Sequence, residues 1–231
     1  MAYSLNLKVL EQAFSELNYL DNDKKVSFQV VSAGVLHVSS GSISASDPLV
    51  GPDQPSFTQK VVAGDYEVKL AIARFDGGDE RIAFAMVSFS EDEPVEWKMA
   101  LIANQNEKTL GHDEFFGYGV DSGTGCFMDS DAGALMSERM RQQEDFFEEI
   151  VEGMEATYRH TRSWLSFQPS SASKANVVCF SSGWGDGVYP SFFSYSGSGK
   201  VVSLVTDFCV FSDSNPITPS KAKKPWWQFW K

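Results

Sequence analysis

Two apolar-rich runs, Tyr66 to Phe75 and Arg81 to Phe89, flank the five residues Asp76-Gly77-Gly78-Asp79-Glu80. Glycine reaches the positive φ values that a tight reversal needs, so the pattern predicts a β-hairpin with a five-residue loop. A hairpin of this kind commits its neighbourhood to antiparallel sheet. Further strand-like runs agree with it. Val26 to Val38, with Gly34 inside, reads as two strands or one bent strand. Val61 to Arg74 holds two short candidates around Gly64-Asp65, and Val95 to Ala103 gives another. Asn176 to Phe180 and Val201 to Phe211 are rich in Val and Phe, and Phe192 to Tyr195 pairs through the turn Ser196-Gly197-Ser198-Gly199. Several short strands joined by Gly and Pro turns are the mark of antiparallel sheet.

Helical periodicity appears twice. Residues 3–20, with Leu5, Val9, Phe14 and Leu17 near the helical period, predict an amphipathic helix that docks on the sheet. Ala132 to Arg162 predicts one long helix whose recurring apolar positions are Leu135, Met140, Phe147, Val151, Met154 and Tyr158. Its outer face carries Glu144, Asp145, Glu148, Glu149, Glu152 and Glu155, with Gly153 as a weak point. Ser39 to Ser46 is small and polar, and Asp47-Pro48-Leu49 opens a turn-rich loop. Residues 104–131 hold few regular patterns. The expected class is α+β, mainly antiparallel β-sheet and sandwich-like, with an N-terminal helix and one long acidic helix. One globular domain is expected over residues 1–213, followed by a basic, Trp-rich tail at 214–231.

Charge and cysteine usage narrow the function. A net charge of −12 argues against nucleic acid, which needs Lys and Arg patches, and suits either solubility or a basic protein partner. Three cysteines, Cys126, Cys179 and Cys209, are an odd number without paired spacing, which fits a reducing cytoplasm. No stretch approaches the roughly 20 apolar residues of a membrane-spanning helix. The first residues show no basic segment followed by an apolar run, so no secretory signal is expected.

Chemistry-bearing residues gather in two glycine-rich stretches. The first, Phe115 to Asp131, holds Asp121, Ser122, Cys126, Asp129 and Asp131 among four glycines. Asp121-Ser122-Gly123 has the form of an aspartic protease half-site, but that chemistry needs a second carboxylate sharing the proton. Cys126 as a nucleophile needs a nearby base, and His112 is the nearest histidine in sequence. Asp121, Asp129 and Asp131 could present oxygens to a hard cation, although Gly123 and Gly125 depart from the calcium-loop pattern. The competing reading is a rigid turn whose aspartates accept backbone N–H groups, with Asp131 capping the following helix. The second stretch, Ser181 to Tyr195, offers Trp184 and Tyr189 as stacking surfaces and Asp186 as a polar anchor, or simply a tight loop between strands. Asp76, Asp79, Glu80 and Arg81 at the hairpin tip read as solvated charges. His37, His112 and His160 show no zinc spacing, and no G-x-S-x-G elbow is present.

The tail pairs Lys221, Lys223, Lys224 and Lys231 with Trp226, Trp227, Phe229 and Trp230, which would be costly to leave in water. Its expected resting place is the chain's own domain, a partner or a lipid interface.

Gly41 to Val50, Gly64 to Glu80, Phe115 to Asp129, Ser181 to Pro190 and Val205 to Phe208 together resemble an uncharacterised, mainly bacterial family known as domain of unknown function 4241. The resemblance implies a compact domain over most of residues 30–211. It carries no reaction, cofactor or catalytic residue, and it marks Asp121, Cys126, Asp129, Asp186 and Asp207 as positions to test. The resulting expectation is a cytoplasmic, protein-binding immunity-type protein that neutralises a basic toxin domain. Glu144, Asp145, Glu148, Glu149, Glu152, Trp226, Trp227 and Trp230 would meet that partner, with no metal or cofactor. The rival is an enzyme or small-ligand binder with a pocket between the two glycine-rich loops.

Overall fold

The computed structural model describes residues 2–21, 24–143 and 145–211. In chain order its elements are α1 (Leu7–Phe14), β1 (Tyr19–Asp21), β2 (Lys24–Val38), β3 (Ile43–Ser46), β4 (Gly64–Arg74), β5 (Glu80–Ser88) and β6 (Pro94–Met99). They continue with β7 (Gly117–Val120), β8 (Thr124–Asp129), α2 (Ser130–Gln142), α3 (Phe146–Glu155), β9 (Trp164–Phe167), β10 (Val177–Ser181), β11 (Gly187–Ser196) and β12 (Val201–Asp207). The predicted hairpin forms as β4 and β5, with Phe75 N–H donating to Asp79 O at 2.9 Å across its tip. Gly77 and Gly78 supply the positive φ values of 93° and 91° there.

Two antiparallel sheets result. The larger runs β1-β2-β4-β5-β12-β11-β6, with β7 also paired to β11; the smaller runs β3-β8-β10-β9. Side-chain alternation explains how they stack. Phe127 lies opposite Val178 in the β8–β10 ladder and Cys126 lies opposite Cys179. Phe127, Val178 and Phe180 pack into one core with Val68, Leu70, Val87 and Leu204 of the larger sheet. Cys126, Met128, Val177 and Cys179 point the other way and pack with Ala132, Met136, Phe146 and Ile150 of α2 and α3. A sheet covered on both faces needs apolar residues on both, which is why β8 and β10 are buried at nearly every position. On the far side of the larger sheet α1 buries Val9, Leu10 and Ala13, and Phe14 packs on Phe84 at 6.5 Å. The order of layers is helix, sheet, sheet, helix pair, which is the expected α+β, antiparallel class.

Three expectations need correction. The N-terminal helix spans 7–14, not 3–20. Asn6 caps it, its side chain accepting from Val9 N–H at 3.2 Å, and Glu16 at φ 54° ends the turn. Residues 19–21 then join the sheet as β1. The single acidic helix is two helices, broken at Gln143, whose backbone is extended at φ −136° and ψ 110°. After the break Phe146, Ile150 and the expected Met154 are buried against the sheet, while Phe147 and Val151 face outward. Gly153 does not interrupt α3; its missing Cβ leaves room for Leu165, which would otherwise sit 2.6 Å away. Finally, Gly64-Asp65 is the start of β4, not a turn between two strands. Val26 to Val38 proves to be one bent strand, its register shifting at Gly34, where φ is 123°.

Candidate functional site

The two glycine-rich loops lie side by side. β7 pairs with β11, which sets Val120 opposite Gly187 and brings the turn at 121–123 against the loop at 182–186. Ser182 N–H donates to Gly123 O at 3.0 Å, and Gly123 N–H donates to Asp186 Oδ1 at 3.0 Å. Gly123 adopts φ 67° there, and a Cβ on it would lie 3.9 Å from the Gly185 backbone. Asp121 and Asp186 are both exposed at this end. The organiser of the turn is a residue that sequence reading treated only as the opening of a loop. Asp47 is buried, and its Oδ2 accepts from Asp121 N–H at 2.9 Å and Ser122 N–H at 2.8 Å. Its Oδ1 accepts from Ser122 Oγ at 2.8 Å and Leu49 N–H at 2.9 Å.

Asp129 plays the same part at the other end of β8. It is fully buried and is the N-cap of α2, its Oδ1 accepting from Asp131 N–H at 3.0 Å. Its Oδ2 accepts from Ser40 N–H at 3.1 Å and Ser40 Oγ at 2.8 Å. Asp129, not Asp131, is therefore the cap, while Asp131 accepts from Ser39 Oγ at 2.6 Å. A six-residue strand at about 3.3 Å per residue separates Asp121 from Asp129 and Asp131. These carboxylates cannot close on one cation, and among the described residues no cluster of three or more potential ligands exists.

Cys126 is fully buried on the helix-facing side, 3.5 Å from Ser46 Oγ, and burial pushes its thiol up to about 12. A thiol so sequestered is a core residue, not a nucleophile at neutral pH. His112 is exposed with Nδ1 2.6 Å from Asp113, and His37 pairs across β2 and β4 with Asp65 at 2.5 Å. Neither hydrogen-bonds Cys126. Asp207 carries the one raised carboxyl among the residues singled out. Burial pushes it up to about 6, opposed by its acceptance from Tyr3 OH at 2.8 Å and Cys209 N–H at 2.8 Å.

Tyr189 is not a stacking surface. It is buried, with its OH donating to Gly185 O at 2.7 Å. Trp184 is exposed, with the Arg81 guanidinium 4.8 Å from its ring centre. The hairpin tip is also not uniformly solvated. Glu80 is buried and bound by Arg162 at 2.8 Å and by Arg74 at 3.0 Å.

α3 presents the remaining candidates. Asp145, Glu148, Glu149 and Glu152 are exposed, and Arg139 holds Glu149 at 2.5 Å. Glu148, Glu152 and Glu155 have no basic partner among the described residues. Phe147 and Val151, one turn apart among them, are 45% and 42% exposed, and Tyr158 beyond the helix is 63% exposed. Glu144, Trp226, Trp227 and Trp230 lie outside the described residues. Among those described, no helix is long and apolar enough to cross a membrane.

A family model described as "Protein of unknown function (DUF4241)" matches residues 36–206. No curated protein and no solved structure matches the chain.

Proposed function

The chain belongs to the DUF4241 family, a premise that names no reaction, and we propose that it is a cytoplasmic protein-binding protein of the immunity type, neutralising a basic toxin domain. The observation that carries the reading is the outer face of α3. Phe147 and Val151 expose apolar surface beside Glu148 and Glu152, which no cation among the described residues engages. An apolar centre ringed by one sign of charge is the composition of a recognition surface: the apolar side chains supply affinity and the charges supply orientation and rate. The net charge of −12 extends the attraction toward a basic partner. The inward candidates support the same reading from the other side. Asp47 and Asp129 use their oxygens on backbone and serine donors, and Cys126 is a packed thiol. The tail tryptophans are not required by the proposal.

Co-expression with toxins encoded beside the gene tests it. The chain is expected to restore growth against one of them, and Glu148→Lys with Glu152→Lys is expected to abolish rescue while leaving the circular dichroism spectrum unchanged. Failure to bind or neutralise any such toxin, or full rescue by the double variant, sinks the proposal.

A second reading keeps one observation in its favour. The two glycine-rich loops adjoin, and Asp121 and Asp186 are exposed at their junction, as a small-ligand site would require. It predicts that a metabolite panel raises the melting temperature of the wild-type chain and not of Asp186→Ala; a flat panel removes it.

A further inference from the structure

α1 packs on β2 and β4, and so covers only part of the outer face of the larger sheet. Across β5, β12 and β6 that face remains a groove of about 550 Å³, lined by Leu7, Leu10 and Phe14 of α1 and by Trp97 of β6, with Met86 and Ser88 of β5 and Val202 and Ser203 of β12 between them. Leu7 is 47% exposed at its rim. Glu11 and Glu93 also line it, and neither has a basic partner among the described residues. An apolar sheet face of this kind is stable when another segment covers it.

We propose that residues 212–231 of this chain cover the groove, with Trp226, Trp227 and Trp230 on its apolar floor and the lysines beside Glu11 and Glu93. Three features select this occupant. The last described residue leaves on the correct face: Phe211 packs on Phe28 at 5.6 Å, Phe28 lies opposite Ala73 of β4, and Ala71, two residues back on the same face of β4, lies opposite Phe84 of β5, the residue under Phe14. The segment is long enough. Thirteen residues lie between Phe211 and Pro225 and span up to roughly 45 Å, against roughly 12 Å for the length of α1. Its chemistry is complementary, since from residue 214 onward lysines are its only charged side chains and the groove's charged groups are carboxylates. The surface is on the opposite side of the fold from α3, so this inference stands apart from the toxin-binding proposal. It assigns the three tryptophans to the chain's own groove in place of a partner.

Limited trypsin digestion of the full chain at Lys221 and Lys223 tests the docking, because cleavage of a docked segment follows its undocked population. Leu7→Asp places a carboxylate in the first turn of α1, where the helix dipole favours it, and removes an apolar contact from the rim. It is expected to raise the cleavage rate roughly tenfold, the factor that loss of one leucine contact carries. Hydrogen exchange supplies the second readout: Trp226→Ala, Trp227→Ala and Trp230→Ala together are expected to speed exchange of the α1 amides. Unchanged cleavage with unchanged exchange overturns the proposal. So does protection that grows with protein concentration, which would mark the segment of a second copy, or protection that arises only on vesicles containing anionic lipid.

Discussion

Asp47 and Asp129 show how much a single carboxylate can hold in this chain, and both are open to direct measurement. Asp47→Ala removes an acceptor for four donors at once and leaves Asp121 N–H and Ser122 N–H without their partner. The expected loss is about 3 kcal/mol or more in urea denaturation, against about 0.5 kcal/mol or less for Asp121→Ala on the surface. Asp207 answers to pH. Its folded pKa of about 6 lies above the ordinary 3.8, so the native state holds the proton more tightly than the unfolded chain. Its contribution is therefore greatest below about pH 4 and is lost as pH rises through 6. Asp207→Asn keeps an acceptor for Tyr3 OH and Cys209 N–H while removing the ionisation. The variant should flatten the fall in stability between pH 4 and 6, and an unchanged slope would show that another group causes it.

Elements were legible where a local pattern decided them. The β4–β5 hairpin follows from its five-residue tip, and β10 and β12 from their Val and Phe runs. Long-range partners decided the rest. β3, in the stretch Ser42-Ile43-Ser44-Ala45-Ser46, is a strand because β8 pairs with it; its serines alternate with Ile43 and Ala45, but residues this small give a weak strand signal. β7 alternates Gly117, Tyr118, Gly119 and Val120, a pattern that resembles loop until β11 supplies its ladder. The turn-organising role of Asp47 depends on donors 74 and 75 positions away, beyond any motif. The adjacency of the two glycine loops was named only as a condition, and the β7–β11 pairing is what satisfies it. Gly117 makes that pairing testable, because a Cβ there would sit 2.5 Å from the Tyr189 carbonyl oxygen. Backbone cannot turn aside as a side chain can, so Gly117→Ala should cost about 2 kcal/mol and raise hydrogen exchange in both β7 and the 182–186 loop. Exchange confined to β7 would show that the loop is held independently.

At the scale of the molecule, charge and layering act together. With a net charge of −12, association with a basic partner should slow steeply as salt rises past about 0.1 M, where the screening length is about 10 Å, while dissociation changes less. Stopped-flow association at several salt concentrations reads this directly, and a salt-independent rate would remove steering from the account. The layering also has a practical outcome. Cys126 and Cys179 sit opposite each other between the smaller sheet and the helix pair, where no reagent reaches them without parting two layers. Their alkylation rate is thus a clock for how often the helix pair lifts from the strands, and a stopwatch on one thiol reports breathing of the whole stack.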